Sequence, residues 1–124
     1  MAEKQKIMIV DDDTNISNLV SLYLKKECFD TICVDDGEKA VKEFESYKPD
    51  LVVLDIMLPG IDGYDLCRRI NESDRFGKPQ IIVITALEND ELEKSIRDFG
   101  VCLYMKKPLN LVQLAENIKK LVEK

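Results

Sequence analysis

There is no histidine in the 124 residues, and that absence removes Ser-His-Asp catalysis, Cys-His catalysis and every histidine-ligated metal site together. Long apolar runs are missing too. None approaches the roughly 18–20 residues that span a bilayer. The opening "MAEKQKIMIV" has too short an apolar segment, and no small-residue cleavage site, to read as a secretory signal, so a cytoplasmic location is expected. The four cysteines, Cys28, Cys33, Cys67 and Cys102, show no CxxC or other zinc-type spacing. Each sits within or beside an apolar segment, which predicts reduced packing residues. A basic excess is also lacking. The net charge of −6 argues against a general nucleic-acid surface, because phosphate binding needs a basic face. With no Pro/Gly/Ser linker, repeat or low-complexity stretch, residues 1–124 are read as one domain.

What is present is an ordinary globular mix, 45% hydrophobic and 34% charged, in a chain long enough to bury roughly two-thirds of its unfolded surface. Five short apolar runs, at 6–10, 31–34, 51–54, 81–85 and 101–105, read as strands. The first, third and fourth are apolar throughout, as strands covered on both faces should be. Helical periodicity falls between them. Ile16, Leu19, Val20, Tyr23 and Leu24 share one face, as do Ala40, Val41, Phe44 and Tyr47. The period returns in Leu92, Ile96 and Phe99, and in Leu111, Leu114, Ile118 and Leu121, with a shorter helix around 64–70. Fivefold strand–helix alternation implies a doubly wound α/β fold, a five-stranded parallel sheet with helices on both faces.

Ligands of such folds bind at the carboxyl ends of the strands. The first strand runs straight into Asp11, Asp12 and Asp13. The third ends in Asp55, the fourth in Thr85 and Ala86, and the fifth leads to Lys106, Lys107 and Pro108. Asp35, Asp36 and Gly37 after the second strand read as a turn and helix start. Clustered carboxylates need either a proton or a cation between them. Oxygen ligands without histidine favour a hard ion, Mg²⁺ before Mn²⁺, which keeps water-filled positions able to hold phosphoryl oxygens. Lysine and threonine suit the same phosphoryl group. A carboxylate in that setting is a competent nucleophile toward phosphorus. The opening acidic run is not an EF-hand, which needs acids at alternate positions, a Gly and a later Glu.

The motifs "IMIVDDD", "LVVLDIMLPGIDG", "IIVITA" and "YMKKP" resemble, in order and spacing, the receiver domains of two-component response regulators, CheY-like flavodoxin-type domains. The resemblance covers the whole chain. It implies that Asp55 is the phosphoacceptor, that Asp12 ligates Mg²⁺ (or Mn²⁺) directly and that Asp11 acts largely through water. Asp55 itself and the backbone carbonyl of Met57 complete the metal site. The phosphoryl group would be held by the Thr85 hydroxyl, the backbone N–H of Ala86, and Lys107, whose bond to Pro108 is usually cis in this family. Thr85 and Tyr104 would act as the switch. They would reshape a surface built by the fourth helical segment, the fifth strand and the last helix. With no histidine of its own, the chain would take the phosphoryl group from a histidine kinase or histidine phosphotransfer protein. It would pass the signal to a downstream protein or output domain, with a homodimer on phosphorylation left open. The acyl phosphate would be lost slowly, with Met57 and Leu87 tuning hydrolysis, and there would be no multiple turnover.

Other residues take plainer readings. Asp13 is expected to cap or charge the first helix turn, Lys106 to be a solvated charge, and Asp62 with Gly63 to serve the turn before the third helix. The stretch "GVCLYMKKP" is more apolar before Tyr104 than is usual in the family, which marks the surface near the fifth strand as a partner face. No output domain is expected within the chain, which is either a complete regulator or the receiver of a longer protein. Two alternatives compete. A haloacid dehalogenase-type phosphatase wants D-x-D-x-[TV]; Asp11 and Asp13 fit, but Asn15 stands where Thr or Val should be. A phosphorylation-independent interaction module would not need Asp11, Asp12, Asp55, Thr85 and Lys107 together.

Overall fold

The computed structural model describes residues 4–56, 63–72, 79–85 and 103–122. Its strands are β1 (Lys6–Val10), β2 (Asp30–Val34), β3 (Leu51–Asp55), β4 (Gln80–Thr85) and β5 (Leu103–Lys106). They form one sheet in the order β2-β1-β3-β4-β5, each neighbouring pair parallel. The helices among the described residues are α1 (Thr14–Lys26), α2 (Gly37–Tyr47), α3 (Gly63–Glu72) and α4 (Leu111–Val122). The expected helical segment bearing Leu92, Ile96 and Phe99 lies outside the described residues, as do Val101 and Cys102.

Alternation along the central strands builds two cores. Met8, Val10, Val52, Leu54, Ile81 and Val83 face α2 and α3, meeting Ala40, Phe44, Leu66 and Ile70. Their neighbours Ile7, Ile9, Leu51, Val53, Ile82 and Ile84 face α1 and α4, meeting Val20, Leu24, Leu114 and Ile118. Period 2 in the strands and period 3.6 in the helices therefore interlock on both faces. Each fully buried aliphatic side chain contributes about 1.5–3 kcal/mol of transfer free energy. The three apolar strands of the sequence are the three central ones, and β2 and β5 are the edges.

Both ends of α1 are built by specific residues. Asp13 is its N-cap, the side chain accepting from Asn15 N and Ile16 N. At the other end, Phe29 N–H reaches Leu24 O at 3.0 Å and Cys28 N–H reaches Lys25 O at 3.1 Å. That is the Schellman pattern, and it puts Cys28 in the left-handed region at φ 70°, a place usually taken by glycine.

Three packing expectations need correction. Cys67 is buried as expected, but Cys28 and Cys33 are exposed. The first sits on the turn just described; the second lies on the edge strand β2, which is only partly covered. Leu19 is 57% exposed, because α1 turns Ser17, Val20, Ser21 and Leu24 inward instead. Those serines are accommodated by hydrogen bonding. Ser21 Oγ lies 2.7 Å from Thr31 Oγ1 on β2, so the polar groups are not buried unpaired. Leu19 instead flanks a cavity of about 250 Å³ with Ile16, Pro108, Leu109 and Leu111. The strand bounds also extend beyond the sequence expectation by one residue at Asp30, Asp55, Gln80 and Lys106.

Candidate functional site

The parallel register brings the strand ends to one rim. Val10 pairs with Leu54, Asp55 with Ile84, and Thr85 with Lys106. Asp11 and Asp55 thus leave adjacent central strands side by side, with Thr85 one strand further on. The Lys107 N–H donates to Thr85 O at 2.8 Å, which fixes the start of the loop after β5 against the end of β4. The Lys107–Pro108 peptide is cis, as the resemblance implied. From that loop the lysine side chain crosses back over the rim.

Lys107 Nζ donates to Asp55 Oδ2 at 2.8 Å and lies 3.1 Å from Asp11 Oδ2. Asp11 is fully buried and Asp55 nearly so. Carboxylate oxygens of Asp11, Asp12 and Asp55 fall within 4.8 Å of one another. Asp11 Oδ1 accepts from the Asp13 backbone N–H at 2.9 Å, while its Oδ2 is buried with no aligned hydrogen-bond donor. Burial pushes the Asp11 carboxyl above the ordinary aspartate value, with Asp55 adding to the rise; the bonds from Asp13 and Lys107 oppose it. Burial works against the charge on Lys107, but its bonds to Asp55 and Asp11 outweigh that and hold the ammonium above its ordinary value. The lysine is therefore a fixed cation at neutral pH.

An all-oxygen donor set with a buried carboxylate oxygen whose close neighbour is the Lys107 ammonium, and which has no aligned hydrogen-bond donor, suits a hard divalent cation such as Mg²⁺. Asp11, Asp12 and Asp55 fit that ion on the chemistry of their donors. Asp12 is exposed, open to the solvent side of the cluster.

The remaining site residues divide. Thr85 is fully buried at the end of β4. Tyr104 is half-buried on β5 and packs against the core that faces α2 and α3. Lys106 is exposed. Met57, Ala86 and Leu87, and with them the carbonyl, N–H and hydrolysis-tuning roles expected of them, lie outside the described residues; so does Asp62. The sequence reading did not anticipate that Lys107 touches Asp11 as well as Asp55. That pairing crosses from the first strand to the last loop, a contact no local spacing encodes.

A doubly wound parallel sheet with an acid–lysine rim at its carboxyl edge defines the class: an α/β domain whose chemistry sits at the strand ends. Comparison with known proteins gives the family. Residues 7–119 match the response regulator receiver domain, and the chain belongs to that family, the signalling receivers of two-component systems. It is 33% identical over 121 residues to the alkaline phosphatase synthesis transcriptional regulatory protein PhoP of Bacillus subtilis (strain 168), matching 97% of this chain and 49% of that protein. The chain thus spans about half the length of that curated relative. Among solved structures, the BeF3-activated N-terminal receiver domain of Klebsiella pneumoniae RstA superposes with a TM-score of 0.88 at 31% identity, covering 97% of this chain and 100% of that one. A two-component response regulator from Clostridium difficile gives a TM-score of 0.91 at 26% identity, covering 98% of each chain.

Proposed function

We propose that this receiver accepts one phosphoryl group on Asp55, from a phosphohistidine of a kinase or phosphotransfer protein, in a reaction that requires Mg²⁺ or Mn²⁺. The observation that carries the reading is Lys107 Nζ placed 2.8 Å from Asp55 Oδ2 and 3.1 Å from Asp11 Oδ2, within an acidic set that fits a divalent ion. In that step an Asp55 oxygen bonds to phosphorus as the phosphorus–nitrogen bond of the donor breaks. The imidazole leaves with the electron pair and takes a proton from solvent. Mg²⁺ held by Asp11, Asp12, Asp55 and the Met57 carbonyl would neutralise charge on the phosphoryl oxygens. Lys107 holds one phosphoryl oxygen as a point charge, and the Thr85 hydroxyl and Ala86 N–H donate to others. The BeF3-activated form of the RstA receiver supports the same chemistry here.

Acetyl phosphate should load one phosphoryl group per chain, read by intact-mass spectrometry, with excess Mg²⁺ and not in EDTA. Donor turnover faster than the phosphorylated chain decays, or equal loading in EDTA, contradicts the proposal. The first outcome would return the phosphatase alternative.

The output follows from the same site. Thr85 drawn toward a phosphorylated Asp55 leaves room for Tyr104 to turn inward, which couples a local charge change to the surface around β5 and α4. Beryllofluoride in an NMR titration should shift Tyr104 resonances along with those of the rim; shifts confined to the rim would refute the switch. The partner at that face is a downstream protein or output domain, with dimerisation as one route to it. We propose that residues 1–124 form one receiver domain and that it works in the cytoplasm. No helix among the described residues is long and apolar enough to cross a membrane.

A further inference from the structure

We propose that Asp13, the third acid of the opening run, is a positioning residue for the metal site, acting through its cap on α1; the inference rests on the metal reading above. Its carboxylate is not part of the cluster formed by Asp11, Asp12 and Asp55. Asp13 Oδ1 accepts from Asn15 N at 3.0 Å and Ile16 N at 3.3 Å. Its carbonyl takes the first helical bond, from Ser17 N at 3.0 Å. Its own N–H donates to Asp11 Oδ1 at 2.9 Å. One residue therefore joins the first turn of α1 to the buried carboxylate.

That junction decides which oxygen of Asp11 faces the site. With Oδ1 engaged by Asp13 and the Asp11 backbone N–H bonded to Val34 O at 3.0 Å, Asp11 is fixed at both ends. Its Oδ2 is left to face Lys107 and the acidic cluster. Asp12 lies between these two anchored residues, so its backbone is held by the same bonds. Loss of the cap frees the first turn to fray, and the N–H that orients Asp11 goes with it. A partner behind a ligand typically changes metal affinity by 10-fold or more when removed, because the ligand must then be ordered at the moment of binding.

The test is Mn²⁺ binding to the full chain, followed by loss of the free-ion EPR signal. Asp13→Ala should weaken binding about 10-fold. Asp13→Ser and Asp13→Asn, which can still cap, should bind close to the parent although both lack the charge. Asp36→Ala is the control, since Asp36 caps α2 by accepting from Lys39 N at 2.8 Å. It should lower the thermal midpoint much as Asp13→Ala does, yet leave Mn²⁺ affinity unchanged. The proposal is overturned if Asp13→Ala binds like the parent, or if Ser and Asn are as weak as Ala, which would make charge the cause. It is equally overturned if Asp36→Ala weakens binding to the same degree. A parent that binds no Mn²⁺ removes the metal reading and this inference together, whereas a binding parent with an indifferent Asp13→Ala leaves the metal reading standing.

Discussion

Lys107→Met should slow phosphoryl uptake from acetyl phosphate by roughly 100-fold or more, the usual loss when one preorganised group that meets developing charge is deleted from a sheltered site. The substitution keeps most of the unbranched apolar stem of the side chain while removing its charge and donors. In this structure the lysine side chain is part-buried, 2.8 Å from the proposed acceptor oxygen, where solvent screens it less than on an open surface. Its bonds to Asp55 and Asp11 keep it protonated across the neutral range. A second effect comes with the first. Without the lysine, two buried carboxylates lose the cation they share, and breaking such an arrangement destabilises the fold. Added Mg²⁺ should recover much of that loss, since it binds the folded site and not the unfolded chain. Initial labelling rates in excess Mg²⁺, with thermal melts in EDTA and in Mg²⁺, separate the two effects. A parent-like labelling rate would remove Lys107 from the chemistry.

The lifetime of the phosphorylated form is the second large effect. Hydrolysis of an acyl phosphate needs a water placed in line with the Asp55–phosphorus bond. Met57 and Leu87 stand two residues beyond Asp55 and Thr85 in sequence, and we expect them to flank that approach. Neither can accept a hydrogen bond from water or orient it. Positioning of the nucleophile is a large part of phosphoryl-transfer catalysis, and an apolar screen withholds it. We therefore predict slow self-dephosphorylation, suited to a sustained output. Met57→Asn combined with Leu87→Glu should speed phosphoryl loss about 10-fold or more, because ~1.4 kcal/mol off the barrier suffices. The measurement is decay after donor removal in excess Mg²⁺. Decay no faster than the parent means that these positions do not govern the water.

The sheet was legible because its signal is local. Strands buried on both faces must be apolar throughout, and β1, β3 and β4 carry that pattern residue by residue. The rim was legible for the same reason: Asp11, Asp55 and Thr85 follow directly from where those strands end. Asp13 as a cap was readable from its place before an apolar period, and the structure bears it out. Side-chain burial was harder to read. Apolar periodicity put Leu19 inside and passed over Ser17 and Ser21, because the compensating partner of Ser21 is Thr31 on another element. Cys28 looked like packing until the helix end required a left-handed residue there. The Lys107–Asp11 ion pair joins residues almost a hundred positions apart, and only the closed sheet brings them together.

Where the phosphoryl group sits is the claim on which the rest depends. An aspartyl phosphate is an acyl phosphate, and borohydride reduces it to homoserine, a residue that marks its position in a peptide map. After loading with acetyl phosphate in excess Mg²⁺, homoserine should appear at position 55 and at no other aspartate, with none formed when EDTA replaces the metal. Homoserine at position 11, 12 or 13, or a loaded protein that yields none at position 55, would contradict the account.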